Sequence, residues 1–272
     1  AVYACSAFSA ILTLLVPLES VAGWGPEPIT VRPTSSKITS VVACNDGSSG
    51  TFVSWQEEVS FGLATLRVQH VLATGDNDPA WPTDGAVACS VATARRLITA
   101  TPDELGGVYV LWQESAQIYL SHLAAYGKVA SGWPERGVLL ATGGHLTAVG
   151  DGAHGIFVAW SGASDSPDGV PWIIRMGPDG AQAGWNGGPR MVRGPDPVNT
   201  IELWLTLAAD SQGGAYLAWI TFSTDSLSVP SASHIARVGP DGEPAPAWPA
   251  GGTDLAPFRW SEYTRLSTPH VD

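Results

Sequence analysis

The chain has 272 residues, of which 14% are charged, with 31 Gly, 21 Pro and a formal net charge of −12. Thirteen thinly spread Lys and Arg supply no basic patch to replace phosphate counterions, so nucleic acid is not an expected partner. Adhesion to acidic membranes is disfavoured for the same reason, and abundant turn formers without a long amphipathic helical run point to many short strands.

Residues 1–23 admit two readings. The apolar run 7–16, followed by Ser20-Val-Ala-Gly, resembles the core and cleavage region of a signal peptide, although no basic stretch precedes it. Alternatively it is a remnant of a preceding repeat, since 15–24 lines up loosely with 123–133. From residue 24 onward the chain repeats. Each repeat is predicted to hold four strands, A to D.

In the first repeat strand A is expected at 37–44. Strand B follows in the motif from Asp46 to Trp55 (DGSSGTFVSW), strand C at 63–72, and strand D at 86–90 after Trp81-Pro-Thr-Asp-Gly. The second repeat offers 96–101, the motif from Asp103 to Trp112 (DELGGVYVLW), 117–124 and, after Trp133-Pro-Glu-Arg-Gly, 138–141. The third offers 145–149, the motif from Asp151 to Trp160 (DGAHGIFVAW), 171–176 and, after Trp185-Asn-Gly-Gly, 190–192. The fourth offers 203–208, the motif from Asp210 to Trp219 (DSQGGAYLAW), 233–238 and, after Trp248-Pro-Ala-Gly-Gly, 253–256. Two strands C end in Gly-Pro-Asp-Gly, a strong turn signal. The B–C connection is short at 113–116 and is expected to be a long loop at 161–170 and 221–232. Residues 262–270 read as one more strand A.

Every motif places Asp nine before Trp, Gly five before, an aromatic three before (Phe52, Tyr109, Phe157, Tyr216) and Val or Leu two before. Asp followed by Gly is turn chemistry. Side chains alternate along a strand, so Trp and the residue two before it share one face and the aromatic takes the other. Both faces are then apolar, as in a strand covered on both sides. The motif Trp residues are spaced 57, 48 and 59 apart. That period suits a propeller blade and is too long for a β-helix coil and too short for a sandwich domain. The expected fold is an all-β β-propeller of four-stranded blades, four complete plus a partial or shared fifth. Residues 24–272 form the propeller repeats, either closed on themselves or cut from a larger propeller.

Cys5, Cys44 and Cys89 form no Cys-x-x-Cys or Cys/His cluster. Cys44 falls on strand A and Cys89 on strand D, too far apart for a disulfide within one blade, so free buried thiols are expected.

At these motifs the chain resembles a group of bacterial secreted repeat propellers, over residues 24–270. The resemblance implies a secreted, extracellular or cell-surface protein, or a periplasmic one, and brings no catalytic residues with it. A weaker likeness, at Tyr119–Trp133 and Ile174–Trp185, is to the repeats of pyrroloquinoline-quinone dehydrogenases. That family also includes scaffolds of the outer-membrane assembly machinery. The adjacent Cys pair of its enzymes is absent here, and no cofactor is expected.

The four motif Asp residues read as turn formers rather than ion ligands, being one per blade and not clustered in one loop. Asp165 and Asp168 lack the ligand count of a dedicated calcium site, and the six His residues show no metal-ligand spacing. His122 falls where Arg175 and Arg237 fall in later repeats. No metal is expected.

Residues entering strand A should gather at one axial mouth: Lys37, Arg96, His145, Glu202 with Trp204, and Glu262 with Tyr263 and Arg265. Such a ring suits a sugar or a peptide; the competing reading is a solvated channel without a ligand. The expected function is a binding or scaffold module with a carbohydrate or protein ligand. The alternative is a glycoside hydrolase or lyase using Glu202 and Glu262 as paired carboxylates.

Overall fold

The structure is a computed structural model that describes residues 30–31, 36–162, 170–182, 185, 188–194, 200–223 and 226–255. Its first sheet comprises β1 (Lys37–Asn45), β2 (Thr51–Ser60), β3 (Leu63–Val71) and β4 (Ala86–Thr93), paired antiparallel in that order. The second comprises β5 (Arg95–Pro102), β6 (Val108–Glu114), β7 (Gln117–Ala124), the short β8 (Lys128–Val129) and β9 (Val138–Thr142). Here β7 pairs with β6 on one side and with both β8 and β9 on the other. The third holds β10 (Gly144–Gly150), β11 (Ile156–Ser161), β12 (Pro171–Met176) and β13 (Arg190–Met191). The fourth holds β14 (Thr200–Ala209), β15 (Ala215–Ser223), β16 (Ser226–Val238) and β17 (Thr253–Asp254).

These are four propeller blades, each a four-stranded meander built from one repeat, with the two-residue β8 added beside β7 in the second. Their first strands pack side by side in chain order, β1 on β5, β5 on β10 and β10 on β14, so they are the inner strands. The expected fifth blade, shared between 1–32 and 262–270, falls outside the described residues except for 30–31, as do Cys5 and the stretch 163–169 with Asp165 and Asp168. No described helix is long and apolar enough to cross a membrane.

The alternation read in the motif is what binds one blade to the next. Phe52 of the first blade shares a core cluster with Val110 and Trp112 of the second. Tyr109 and Leu111, on the opposite face of that second strand, share one with Val158 and Trp160 of the third. Phe157 and Ala159 meet Leu217 and Trp219 of the fourth. The aromatic face of each blade thus covers the Trp face of its successor. Burying side chains of this size contributes about 1.5–3 kcal/mol apiece relative to exposure.

The motif Asp builds the turn between inner strand and motif strand. Asp46, Asp103, Asp151 and Asp210 each accept two backbone N–H groups through Oδ1, from the residues two and four ahead, at 2.7–2.8 Å. Oδ2 accepts from a base on the third strand: His70 Nε2 (2.9 Å), His122 Nε2, Arg175 Nε and Arg237 Nε (each 2.8 Å). Each base lies over the motif aromatic, His70 on Phe52, His122 on Tyr109, Arg175 on Phe157 and Arg237 on Tyr216. The turn reading of the four Asp holds, and His122 does the work of the later arginines.

One expectation is corrected. Residues 221–232 are not a long loop, because β15 and β16 run on as an extended hairpin whose register slips beside Phe222 and Ser223. The Ser/Val/Ala stretch there keeps a period of two, and Pro230 is accommodated at the irregularity, where a missing N–H costs no ladder bond. Strand β8 was not anticipated, since two residues after a turn leave no periodic trace.

Cys44 on β1 and Cys89 on β4 sit at opposite edges of one sheet as free thiols, Cys89 buried and Cys44 partly so. Burial, and then the Asp46 carboxylate, push the Cys44 thiol up to about 12.

Candidate functional site

Each inner strand carries a β-bulge close to its start, between Ile38 and Ser40, Leu97 and Thr99, Gly144 and Thr147, and Leu203 and Thr206. A bulge breaks the alternation and re-aims a side chain. In the third and fourth blades the bulge holds a non-glycine residue in the left-handed region, His145 (φ 48°) and Trp204 (φ 55°). That conformation costs about 1–2 kcal/mol for an L-residue.

At these strand starts lies an open cleft of about 530 Å³, lined by Gly62, Ala94, Arg95, Arg96, Gln113, Ser115, Gly144 and His145. It spans three blades: the β2–β3 turn, the start of β5 with the β6–β7 turn, and the start of β10. Arg96 and His145 are exposed in its wall. Desolvation in the wall, and then the Arg96 charge, hold the His145 imidazole below its ordinary value, so it is neutral at pH 7. Gln113 Nε2 donates to the Gly143 carbonyl (2.7 Å) and ties the second blade to the third along this rim. Gln56 Oε1 accepts from Leu97 N (3.1 Å) and ties the first to the second.

Arg95 was not among the expected site residues, yet it forms the cleft's inner wall. It is 7% exposed. Its Nε and Nη2 donate to Thr93 Oγ1 at 3.2 and 2.8 Å, and Nη2 also donates to the Val91 carbonyl. Its guanidinium lies 4.5 Å from the Trp112 ring centroid, and Trp112 in turn stacks on Tyr119 at 4.3 Å. Nη1 is buried without a hydrogen-bond partner among the described residues. The Arg95-Arg96 pair in the sequence was the available signal. Strand A was expected to begin at Arg96, which left Arg95 one residue outside it.

The other expected mouth residues are distributed differently. Lys37 begins β1 but is paired with Glu58 at 3.0 Å and does not line the cleft. Trp204 is 53% exposed, meets Phe222 edge-on at 5.2 Å, and lies outside the cleft as well. Glu202 is placed by its backbone opposite Thr221. Glu262, Tyr263 and Arg265 lie outside the described residues. The side chain of Glu202 likewise lies outside the described residues, and the paired-carboxylate reading falls there with it.

A second polar constellation sits in the fourth blade. His234 faces Thr221 Oγ1 through Nε2 (2.5 Å) and Asp254 Oδ1 through Nδ1 (2.7 Å), and Arg193 Nη1 is 3.1 Å from the same carboxylate. Hydroxyl, imidazole and carboxylate are in line, as in a nucleophilic triad. Thr221 and His234 are each 2% exposed, however, and the imidazole stacks on Trp219 at 5.2 Å. The hydroxyl is closed to any substrate, and the array serves to clamp β17 onto β16 at the blade's outer edge. Among the described residues no group of three or more His, Cys, Asp or Glu is placed to hold a metal ion.

No family model and no curated protein matches the chain. Among solved structures it is similar to a hypothetical protein from Leishmania major, at 8% identity and a TM-score of 0.32, covering 75% of this chain and 70% of that one. The same values relate it to MPT-4, a mannose phosphorylase from Leishmania mexicana in complex with phosphate ion. A GH43 glycoside hydrolase engineered to display both endo-xylanase and exo-arabinofuranosidase activity matches at 12% identity and a TM-score of 0.33. It covers 74% of this chain, which spans 39% of that one. Values this low assign no activity here.

Proposed function

We propose that the protein is a binding module of an extracellular, cell-surface or periplasmic propeller, taking a carbohydrate or peptide ligand in the cleft at the inner-strand starts. The observation that carries this reading is the convergence of Arg96 and His145 from two different blades on one open cleft of about 530 Å³, within the usual size of a ligand site. A bulge on a rigid inner strand holds His145 in place there, in a left-handed conformation. No carboxylate lines the cleft among the described residues, which favours binding over hydrolysis by paired carboxylates.

The test is a screen of the 272-residue chain against arrayed glycans and peptides, followed by titration calorimetry on any hit. The Arg96→Ala/His145→Ala double variant should fold as the parent does and lose at least about ten-fold in affinity, roughly 1.4 kcal/mol. A ligand bound equally by parent and double variant would place the binding surface elsewhere.

A further inference from the structure

The charge around the cleft runs against the charge of the chain. The molecule carries a net −12, yet no carboxylate lines the cleft among the described residues, while two arginines do. Most other described arginines answer an acid: Arg67 pairs with Glu57, Arg136 with Glu114, Arg175 with Asp151, Arg190 with Glu243, Arg193 with Asp254 and Arg237 with Asp210. Glu114, directly across the strand pair from Arg95, is turned to Arg136. Arg95 and Arg96 form no ion pair with any described residue, and Arg95 retains one buried nitrogen, Nη1, without an acceptor. A buried donor left unpaired costs about 1–3 kcal/mol, and a buried, unpaired cation more. A protein that neutralises its arginines elsewhere and leaves these two adjacent ones unmatched holds a positive potential at this cleft.

The rest of the lining narrows the ligand. Apart from Ala94 and the glycines, it consists of amide, hydroxyl, imidazole and guanidinium groups. An apolar side chain of a peptide would find no pocket there, whereas a hydroxyl-rich ring would find donors and acceptors on several sides. Phe61, 99% exposed, stands at the tip of the β2–β3 turn next to Gly62 of the lining, and an aromatic face of that kind stacks on a sugar ring. Resting on the binding reading above, we infer that the cleft selects an acidic sugar, a uronate whose carboxylate is received by the exposed Arg96, with the buried Arg95 guanidinium behind it adding to the positive potential, while Gln113, Ser115 and His145 meet its hydroxyls. Planar guanidinium groups are suited to that carboxylate because they can donate two parallel hydrogen bonds to it.

The experiment compares oligosaccharides of galacturonate, glucuronate and mannuronate with their carboxyl-reduced, neutral counterparts and with an oligoglutamate peptide, by calorimetry on the 272-residue chain. At least one uronate should bind, and its reduced counterpart should bind about ten-fold more weakly or not at all. Arg96→Ala should erase that preference and Phe61→Ala should weaken the uronate several-fold. Lys128→Ala, which removes an exposed cation outside the cleft, should leave it unchanged. Because Arg95 is buried and acts on the ligand through its charge, Arg95→Lys should keep the preference and Arg95→Met should reduce it. Equal binding of uronate and reduced sugar through a cleft that still needs Arg96 would overturn the acid selectivity and leave the binding module standing. Binding of oligoglutamate alone would overturn the sugar. No binding in any arm would overturn both.

Discussion

The glycine five before each motif Trp shows how much a single position decides. A Cβ on Gly107 would lie 2.3 Å from the Leu123 carbonyl oxygen and 2.4 Å from Asp103 Oδ2, and Gly50, Gly155 and Gly214 meet the same two kinds of atom at 2.3–2.9 Å. The backbone here passes between the Asp that builds the turn and the third strand of its own blade, and only hydrogen fits. Gly194, by contrast, has nothing within 4 Å and needs no positive φ. Gly107→Ala should therefore destabilise the protein by about 1–3 kcal/mol through overpacking. Gly194→Ala should stay within about 0.5 kcal/mol of the parent, like other exposed substitutions. Urea unfolding of the two variants checks this, and similar midpoints would mean that the turn can yield. The repetition of Asp and Gly made the turn readable, but the steric reason for the glycine was not. It lies in a third-strand carbonyl some sixteen residues away that no local pattern displays.

At the scale of the element, the side-chain contact between the turn Asp and the third-strand base closes each blade across its three inner strands. For Asp103, burial raises the carboxyl, but the hydrogen bond from His122 and those from Leu105 N and Gly107 N outweigh it, and the carboxyl stays below the ordinary 3.8. Asp46 is lowered by the corresponding contacts with His70, Ser48 N and Gly50 N, and Asp210 by those with Gly214 N, Arg237 and Gln212 N, each against the same opposing effect of burial. A carboxyl depressed in the folded state contributes stability that is complete above its unfolded value and is lost as pH falls through its folded one. The unfolding free energy should hold steady from neutrality to about pH 5 and fall below about pH 4. Asp103→Asn keeps an acceptor for the two backbone N–H groups but cannot ionise. Its stability should be lower at pH 6 and decline less between pH 5 and pH 3 than the parent's. Parallel declines would show that this blade's carboxylate is not among those titrated. Elements were legible in the sequence wherever both faces are covered: β7 and β12 run as expected, and the inner and motif strands agree to within a few residues. Legibility failed at the bulges, where one extra residue breaks the period of two. That is why Trp204, inside its bulge, was grouped with residues it does not meet, whereas Arg95 was passed over because strand A was expected to begin one residue later, at Arg96.

Across the whole molecule the blades are joined by a second device, which the sequence displays only as two unconnected periodicities. The Trp that precedes each outer strand lies against the turn that ends the third strand of the next blade. Trp133 Nε1 donates to the Pro178 carbonyl (2.8 Å) and Trp185 Nε1 to that of Pro240 (3.2 Å). At the first joint Trp81 packs so closely on the Ala125–Gly127 turn that a Cβ on Gly127 would come within 2.9 Å of its ring. The contacts link residues one repeat apart, so the spacing of each mark is visible along the chain but their meeting is not. Trp133 also packs on Tyr109 and, edge-on, on His122, which makes it the rivet of the joint between the second and third blades. Trp133→Ala should cost about 3–5 kcal/mol, and Trp133→Phe, which keeps most of the packing but loses the N–H, nearer 1 kcal/mol. Where the damage appears is the more telling quantity. Each described blade is covered by its neighbours along the array, so stability should be a sum of blade terms and joint terms. Hydrogen exchange in Trp133→Ala should then accelerate first in β6, β7, β11 and β12, on the two sides of the broken joint, while the amides of β2 and β3 keep their protection. Equal acceleration in all blades would mean that the array opens only as one unit, with the joints too strongly coupled for any of them to fail alone.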